Sequence, residues 1–403
     1  MKIIFVHNYY QFRGGEDEMA DLDTNLLRKK GNQVLFFSRH NNDIKNYDLF
    51  QKATLLYEPV FSLKTYYEIK KKIQDFKPDI IHINNFFPLI SPSIIYAGAQ
   101  MKIPVVMSLH DFRIICANGL LLRSSRICEK CFSSPIYGLI YRCYRNSLIQ
   151  TLPVSLMIFA HQKLKTWTRK ITLFISPSGF VKRKFAEFGL DSKRIFVRPN
   201  YVEDEFVKTF ETSFKNVKKE SYILFAGRLS EEKGIKPLLE AWDILRSQNI
   251  KIKLKIAGDG RLMRYVKDRA KNNELLEVLG FVKKKDLVEL MAKASFTVVP
   301  SICYEVFGRS IIESYAVGTP VLASKIGAFE DIVVEGKTGF FFDPEPSAIA
   351  RKVREVFGRD ELIRYLSENS IKEFARNYTE DTAYKRLISL YEEAIRFNES
   401  LVV

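Results

Sequence analysis

Two basic residues five positions apart occupy a glycine-bounded segment, AGRLSEEKG, at residues 226–234. The segment follows an apolar run typical of a buried strand and precedes a stretch with helical period. Arg228 and Lys233 can therefore reach one polyanion from two sides of a tight loop, beside the positive end of a helix dipole. The alternative is that both are solvated charges, the ordinary state of Arg and Lys. Their place at the end of a strand favours a site for a phosphate-bearing ligand.

Two glutamates eight residues apart occur in the segment PSICYEVFGRSIIES, residues 300–314. Glu305 is predicted on a loop after a strand, and Glu313 on the next helix among apolar residues. A carboxylate in an apolar setting needs a hydrogen-bonding partner, and the two neighbouring hydroxyls of a ribose would provide one. The alternatives are a salt bridge from Glu313 to Arg or Lys and simple solvation of Glu305.

Two further sites follow predicted strands in the amino-terminal half. Gly14 and Gly15 precede a helix, where glycines let the backbone approach a ligand and expose N–H groups. His110 lies at the strand end in SLHDF, residues 108–112, and can hydrogen-bond a phosphate or a sugar hydroxyl. The alternatives are an ordinary turn and a histidine satisfied by local backbone. The GxGxxG fingerprint of dinucleotide binding is absent.

Short apolar runs alternate with amphipathic stretches almost throughout the chain, which is the pattern of parallel sheets covered by helices on both faces. The predicted strands are Ile3–Val6, Val34–Ser38, Ile80–Asn84, Val105–Leu109, Leu173–Ser176, Arg194–Arg198, Tyr222–Ala226, Lys253–Ala257, Val278–Phe281, Phe296–Pro300, Pro320–Ala323 and Gly339–Phe342. We therefore predict an α/β fold with two Rossmann-like, doubly wound parallel-sheet domains that face a cleft.

The predicted boundaries divide the chain into three parts. Residues 1–200 form an amino-terminal, acceptor-side domain with a cysteine-containing insertion at about 112–150. Residues 201–380 form a carboxy-terminal domain, and residues 381–403 form a terminal helix that packs back on the first domain. The polar stretch Glu203–Ser221 is the predicted joint. Because ligands of such sheets bind outside the carboxyl ends of the strands, the four sites lie where binding is expected.

Taken in series, these segments resemble the retaining glycosyltransferases of family 4, which have the two-domain GT-B fold. The most specific elements are the glutamate pattern within PSICYEVFGRSIIESYAVGTPVLAS and the segment FAGRLSEEKG. GGEDE, SLHDF, VRPN, IAGDG and LGFV follow in the expected order, so the resemblance covers nearly the whole chain. Two positions depart from it: Val306 stands where the family usually has Gly or Pro, and Arg309 where an apolar residue is common.

The resemblance implies a nucleotide-sugar donor, such as a UDP- or GDP-sugar, and a role for each residue. Arg228 and Lys233 would bind the diphosphate, and Glu313 the ribose. Glu305 would contact hydroxyls of the donor sugar, and His110 would lie beside the transferred sugar and the diphosphate.

The remaining binding residues are also assigned through the resemblance. Backbone N–H groups near Phe307 and Gly308 would assist Glu305. Gly14 and Gly15 would line the cleft. The residues that would border the nucleobase are Gly260, Arg261, Phe281 and Val282.

The family transfers sugars with retention of configuration and without a metal ion, so the resemblance implies no cofactor for catalysis. The Asp-x-Asp string of metal-dependent transferases does occur, as Asp21-Leu22-Asp23. It falls inside a predicted helix, and we interpret it as a solvated helix face. Glu305 and Glu313 lie on different elements and are not interpreted as the acid and nucleophile of a glycosidase.

Four cysteines are spaced C-x11-C-x2-C-x11-C, at Cys116, Cys128, Cys131 and Cys143. Four thiolates suit a tetrahedral zinc ion, whose role would be to staple the insertion after His110. The alternative is four ordinary thiols whose spacing arose by chance.

The formal net charge of +16 is concentrated in one part of the chain. Residues 101–200 carry 17 basic and 4 acidic side chains, whereas residues 201–403 carry 33 and 32. An anionic membrane surface or a lipid-diphosphate acceptor fits this stretch. A basic nucleic-acid-binding protein is the alternative class, but no RNA or DNA motif occurs and the glutamate pattern would have no purpose. We therefore predict no nucleic-acid partner.

No apolar run approaches the roughly 20 residues needed to span a bilayer, and the start lacks a signal-peptide pattern. The expected location is cytoplasmic, peripheral at the inner face of the membrane. The expected function is transfer of a sugar to a glycan or lipid-linked acceptor in bacterial surface polysaccharide or glycolipid synthesis. A sugar-nucleotide epimerase of the same fold is the alternative enzyme.

Overall fold

The computed structural model describes residues 1–400 and divides into two compact units. The amino-terminal unit comprises Met1–Arg123, Cys128–Arg198 and the described chain from Tyr384 onward. The carboxy-terminal unit comprises Ser124–Ile127 and Pro199–Ala383.

The first eight strands lie in the amino-terminal half. They are β1 (Lys2–Tyr9), β2 (Gln33–His40), β3 (Ile80–Ile83), β4 (Val105–Ser108), β5 (Leu122–Arg123), β6 (Arg126–Ile127), β7 (Leu173–Ser176) and β8 (Ile195–Val197). Six of them form a parallel sheet in the order β2-β1-β3-β4-β7-β8. The order runs outward in both directions from β1 and β3, as in a doubly wound sheet.

The helices of this half connect the parallel strands. They are α1 (Gly15–Lys29), α2 (Leu49–Thr54), α3 (Leu63–Phe76), α4 (Ser93–Gln100), α5 (Ile136–Ile140), α6 (Leu148–Lys163), α7 (Thr166–Arg169) and α8 (Gly179–Glu187). Serines at residues 62, 147 and 178 cap α3, α6 and α8, each accepting a hydrogen bond from the backbone N–H three residues later. Such caps satisfy N–H groups that a helix start leaves unpaired.

The carboxy-terminal unit contains a second six-stranded parallel sheet. Its strands are β9 (Glu220–Ala226), β10 (Lys253–Ala257), β11 (Leu276–Gly280), β12 (Ala294–Val299), β13 (Val321–Ser324) and β14 (Gly339–Phe342). They are ordered β11-β10-β9-β12-β13-β14. All five pairings are parallel. The predicted α/β fold with two doubly wound parallel sheets is therefore confirmed.

The remaining helices cover this second sheet and end the chain. They are α9 (Asp204–Ser213), α10 (Ile235–Ser247), α11 (Met263–Ala270), α12 (Lys284–Lys293), α13 (Arg309–Ala316), α14 (Phe329–Ile332), α15 (Pro346–Val356), α16 (Asp360–Asn377) and α17 (Glu380–Ser400). Helix α10 shows why they pack on the sheet. Its apolar residues at helical spacing are buried, and the Trp242 indole N–H donates to the Ile252 carbonyl at 2.8 Å.

Helix α17 contributes to the core of the amino-terminal unit from Tyr384 onward. Leu387, Tyr391 and Ala394 are fully buried there, in one cluster with Ile3 and Phe5 of β1. The Tyr391 hydroxyl also lies 2.6 Å from Nδ1 of the buried His82 on β3. The chain therefore returns to its first unit after completing the second.

Two segments differ from the sequence-based expectation. Strand β1 continues past Val6 because its polar residues His7 and Asn8 are buried and hydrogen-bonded: His7 lies 2.9 Å from Asp17, and the Asn8 amide donates to Asn41 at 2.7 Å. The expected joint Glu203–Ser221 contains helix α9, whose Phe206 is buried. Among residues 1–400, no helix is both long and apolar enough to cross a bilayer.

Candidate functional site

The predicted residues of the carboxy-terminal half lie on loops at one edge of its sheet. Strands β11, β10, β9 and β12 are neighbours and run parallel, so their carboxyl ends share that edge. The loops that follow them carry Phe281, Gly260, Arg228 and Glu305 in that order across the sheet. The structure thus brings together segments that are up to about 80 residues apart in the chain.

Close backbone packing explains the glycines of these loops. A Cβ on Gly258 would overlap the Gly227 carbonyl oxygen, and one on Gly260 would overlap that of Leu229. The Leu229 N–H donates to the Asp259 carbonyl at 2.9 Å. The loops after β9 and β10 therefore support each other through their main chains, which fixes the base from which Arg228 projects.

Lys233 and Glu305 form an ion pair that joins the two predicted motifs. Lys233 Nζ lies 2.7 Å from Glu305 Oε1, and the Ser301 hydroxyl donates to the same oxygen at 2.6 Å. Glu305 is only 8% exposed, so its solvation, the alternative considered for it, is excluded. Gly234 permits this contact because a Cβ there would overlap the Pro300 carbonyl oxygen.

The contact with Glu305 stabilises the charged form of Lys233. Burial by itself lowers the pKa of Lys233, but the Glu305 carboxylate raises it and the net shift is upward. Lys233 therefore remains a cation at neutral pH. Arg228, about half exposed, lies 3.6 Å from Glu232. The loop thus presents two cations that an incoming anion can bind.

Glu313 is engaged in an ion pair. Arg309 Nη2 lies 2.9 Å from Glu313 Oε1 and 3.7 Å from Glu203 Oε2, and Lys284 also pairs with Glu203. This is the salt bridge considered as the alternative for Glu313. A ribose at this position would meet a carboxylate whose charge is already balanced and whose orientation is already fixed.

The start of α13 lies between the two glutamates. A Cβ on Gly308 would lie 2.6 Å from Ile311 Cδ1 and 3.0 Å from the Phe329 ring, so a larger residue would displace the Ile311 side chain. The Phe307 ring is buried and packs edge-on against Tyr378, with centroids 6.3 Å apart. What this turn offers a ligand is therefore its main chain at a helix N-terminus rather than the Phe307 side chain.

The residues predicted to border a nucleobase lie on the other side of β9 from Glu305. Arg261 is exposed, and Phe281 is 79% exposed after β11. Val282 is partly buried beside it. An exposed aromatic ring at a sheet edge provides a face on which a planar base can stack.

A cavity lies in the amino-terminal unit, at the carboxyl ends of β3 and β4. It is lined by His110 together with polar residues that the sequence-based assignment omitted, namely Glu16, Asn84, Asn85, Asp111 and Arg113. Gly14 precedes α1, and its N–H donates to Asp17 Oδ2 at 3.0 Å. Glu16 and Asp111 belong to the GGEDE and SLHDF segments, whose sequence signal lay in the glycines and the histidine, whereas Asn84, Asn85 and Arg113 lie outside both segments.

Two carboxyl groups that line this cavity share Tyr10 as a hydrogen-bonding partner. The Tyr10 hydroxyl lies 2.8 Å from Glu16 Oε2 and 3.3 Å from Asp111 Oδ2. Burial raises the pKa of the Glu16 carboxyl well above its usual range, and the nearby Asp111 charge raises it further. Burial, with the Arg198 charge, lowers the pKa of His110 to about 3. The cavity therefore presents a neutral imidazole beside two carboxyl groups, and burial favours the protonated form of Glu16.

The interpretation of Asp21-Leu22-Asp23 as a solvated helix face is wrong for its second aspartate. Asp23 is 1% exposed and accepts two hydrogen bonds from the Arg198 guanidinium, at 2.7 and 2.9 Å. Asp21 is half-buried and pairs with the exposed Arg13 at 2.6 Å. The two carboxylates face different partners because neighbours at i and i+2 point to different sides of a helix.

The family model for Glycosyltransferase Family 4 matches residues 24–206, and the model for Glycosyl transferases group 1 matches residues 207–373. The chain belongs to this glycosyltransferase family. Its two halves match two models in succession, and the residues singled out in FAGRLSEEKG and in the glutamate segment lie within the second.

Relatives of this glycosyltransferase cover it to different extents. Two uncharacterized glycosyltransferases of Methanocaldococcus jannaschii are 31% and 34% identical over 42% and 44% of the chain, and 47% and 46% of their own length. The matched region thus spans about half the length of these relatives. Alpha-monoglucosyldiacylglycerol synthase of Streptococcus pneumoniae is 24% identical over 98% of the chain and 86% of that protein.

Solved structures of similar shape confirm the GT-B fold class of this glycosyltransferase. Anabaena HepE in complex with UDP has a TM-score of 0.67 at 18% identity and covers 98% of this chain and 100% of its own. Sucrose-phosphate synthase from Thermosynechococcus elongatus has a TM-score of 0.69 at 16% identity, covering 97% and 98%.

The cysteines of this glycosyltransferase are all free thiols. A hydrogen bond with Cys131 lowers the pKa of Cys116 to about 6, whereas burial and the charges of Cys116 and Cys128 raise the pKa of Cys143 to about 11. The four sulfurs are thus close enough to influence one another. Within residues 1–400, no three His, Cys, Asp or Glu side chains are arranged as ligands of one metal ion. The structural zinc stays a prediction from spacing.

Proposed function

We propose that this chain transfers a sugar from a nucleotide-sugar donor to a glycan or lipid-linked acceptor, with retention of configuration and without a metal ion. The observation that carries the proposal is the Lys233–Glu305 pair, 2.7 Å apart at the carboxyl edge of the second sheet. It unites a cation for a diphosphate and a carboxylate for sugar hydroxyls in one place. Membership of the glycosyltransferase family and the UDP bound by HepE support the same donor class.

The donor diphosphate binds between Arg228 and Lys233 in this proposal. Lys233 then shares its charge between the diphosphate and Glu305, which orients the carboxylate toward the hydroxyls of the sugar. Glu313 accepts hydrogen bonds from the ribose beside its partner Arg309. Main-chain N–H groups near Phe307 and Gly308 donate to the donor. The loops at Gly260–Arg261 and Phe281–Val282 border the base.

Transfer breaks the bond between the anomeric carbon and the phosphate oxygen, and negative charge grows on the leaving diphosphate. Arg228 and Lys233 stabilise that charge, a contribution typically worth about 3 kcal/mol for each well-placed donor. The acceptor oxygen attacks the same face of the sugar from which the diphosphate departs. The leaving phosphate oxygen takes the acceptor proton, so atoms and charge balance without a separate base.

The cavity of the amino-terminal unit supplies the other binding groups. Gly14 and Gly15 line the donor, and neutral His110 hydrogen-bonds a hydroxyl of the transferred sugar or the diphosphate. The acceptor belongs to bacterial surface polysaccharide or glycolipid synthesis, and the enzyme works from the cytoplasm at the inner face of the membrane. The glucosyldiacylglycerol synthase that aligns with nearly the whole chain supports a lipid acceptor.

The test is a panel of nucleotide sugars incubated with the protein and an excess of chelator, with release of the nucleoside diphosphate as readout. At least one donor should be turned over with chelator present, and NMR of the product should show the anomeric configuration of the donor. Conversion to an isomeric nucleotide sugar without release of diphosphate would instead indicate an epimerase.

Variants tie that activity to the site. Glu305→Ala should abolish turnover, whereas Glu231→Ala, which removes an exposed carboxylate paired with Lys236, should leave it unchanged. Full activity in Glu305→Ala would overturn the assignment.

A further inference from the structure

Helix α6 of the amino-terminal unit has two apolar faces. One packs inward, through the buried residues Val154, Met157 and Ile158. The other is open to solvent, with side chains that are 46–71% exposed at Leu148, Ile149, Leu152, Leu156 and Phe159. At about 100° per residue, these five side chains fall within one sector about 100° wide. A continuous stripe of this kind differs from the scattered apolar residues that any surface carries.

The stripe continues onto neighbouring segments. Helix α5 packs against α6 and exposes Ile136 and Ile140, at 55% and 60%, on one side of its single turn. Leu164, directly after α6, is 60% exposed. We call this surface the apolar stripe; it consists of Ile136, Ile140, Leu148, Ile149, Leu152, Leu156, Phe159 and Leu164.

Positive charge surrounds the apolar stripe. Between Lys130 and Ala186 the chain has ten basic and no acidic side chains. Lys163, Lys165 and Arg169, at the carboxyl end of α6 and on α7, are exposed. This stretch of 57 residues contains no carboxylate of its own, and of its cations Lys184 pairs with Glu129 and Glu187, which flank it.

This combination selects among the partners that could cover the stripe. A second copy of the chain would bring two wholly cationic segments together and be repelled. A nucleic acid would match the charge, but it binds through phosphate contacts and through stacking of its bases on aromatic side chains. Seven of the eight residues of the apolar stripe are aliphatic. An anionic bilayer offers both an acyl boundary for the aliphatic side chains and phosphates for the lysines.

The dimensions agree with a helix lying along a surface. Helix α6 has 16 residues and is about 24 Å long, which is less than the hydrocarbon thickness of a bilayer. Only the outward sector is apolar and unburied, because the inward sector already packs in the unit's own core. Insertion is therefore limited to the depth of one layer of side chains.

We propose that the apolar stripe, with Lys163, Lys165, Arg169 and Lys170 beside it, is a docking surface that inserts into the interfacial layer of an anionic lipid bilayer. The inference deepens the peripheral location within the proposed function by naming the surface responsible. It is tested by binding alone, without donor or acceptor. Its failure therefore leaves the transferase assignment untouched, and loss of transferase activity would leave the docking inference untouched.

The experiment measures co-sedimentation of the full chain with phosphatidylcholine vesicles that contain about one third phosphatidylglycerol, and with phosphatidylcholine vesicles alone. The wild type should bind the anionic vesicles and bind them more weakly as salt is raised. Ile149→Ser/Leu152→Ser/Leu156→Ser should lower the partition coefficient on the order of a hundredfold. Changing Lys163, Lys165, Arg169 and Lys170 to Gln should lower it on the order of several hundredfold.

Matched controls come from the carboxy-terminal unit. Val334→Ser/Tyr365→Ser removes comparably exposed apolar side chains, and Lys251→Gln/Lys253→Gln removes exposed charges; both should bind as the wild type does. Circular dichroism and thermal melts verify that every variant is folded. Wild-type binding by the folded serine triple variant would overturn the proposal, as would failure of the wild type to bind anionic vesicles. Binding to a nucleic acid duplex in place of vesicles would overturn it as well.

Discussion

The Lys233–Glu305 pair leads to opposite expectations for stability and for activity. Three variants separate them: Lys233→Ala, Glu305→Ala and the double variant. Lys233→Ala leaves the carboxylate of Glu305, 8% exposed, with the Ser301 hydroxyl but without its cation. The double variant removes both charges, so no buried charge is left unpaired.

The expected loss in the free energy of unfolding depends on how deeply the two partners are buried. Breaking a fully buried ion pair costs about 3–5 kcal/mol of the free energy of unfolding. The Lys233 side chain is 29% exposed, so water screens the pair and we expect a loss of about 2 kcal/mol for Lys233→Ala. The double variant should regain at least about 1 kcal/mol of that loss.

The catalytic activity of these variants should not change in parallel with their stability. In the proposed mechanism Lys233 meets the growing charge on the leaving diphosphate, so its removal should lower kcat by about 10²–10³-fold. Removing Glu305 as well deletes the proposed contact with the sugar and cannot restore the cation. The double variant is therefore expected to be more stable than Lys233→Ala and no more active.

Urea denaturation gives the stabilities, and release of nucleoside diphosphate from the donor gives the activities. Lys236→Ala is the control, because this lysine pairs with an exposed glutamate, Glu231, at a similar 2.7 Å. It should change neither quantity appreciably. Nearly full activity of Lys233→Ala, or an activity of the double variant that recovers together with its stability, would contradict these roles of the pair.

The other predictions concern packing, a buried charge and metal. Gly234→Ala should cost at least about 2 kcal/mol more in urea than Gly336→Ala, since both have φ near +70° but only the first would overlap a carbonyl oxygen. Asp23→Asn should lose about 3–5 kcal/mol through its buried arginine pair, against about 1 kcal/mol or less for Asp21→Asn; equal losses would contradict the assignment. Metal analysis should find zinc that Cys128→Ser abolishes; metal-free protein that folds normally in chelator would exclude it.

The sequence predicted the fold class because each buried strand is a short apolar run between helical stretches. It also predicted the loops of the second sheet, because their glycines and charges follow strand ends directly. Ion pairs between residues far apart in the chain could not be predicted from it. Asp23 and Arg198 are 175 residues apart, so the helical position of Asp23 alone suggested exposure to solvent. Glu16 and Asp111 looked ordinary for the same reason, since only folding brings them to Tyr10.

The return of α17 to the amino-terminal unit has a consequence for synthesis of the chain. Leu387 and Tyr391 complete a core whose other members, such as Ile3 and Phe5, leave the ribosome first. Until α17 has emerged, His82 has no phenol beside its Nδ1 and the core of the first unit lacks Leu387, Tyr391 and Ala394. The first half to be translated is thus among the last to be finished, whereas residues 199–383 can assemble their own core in the meantime.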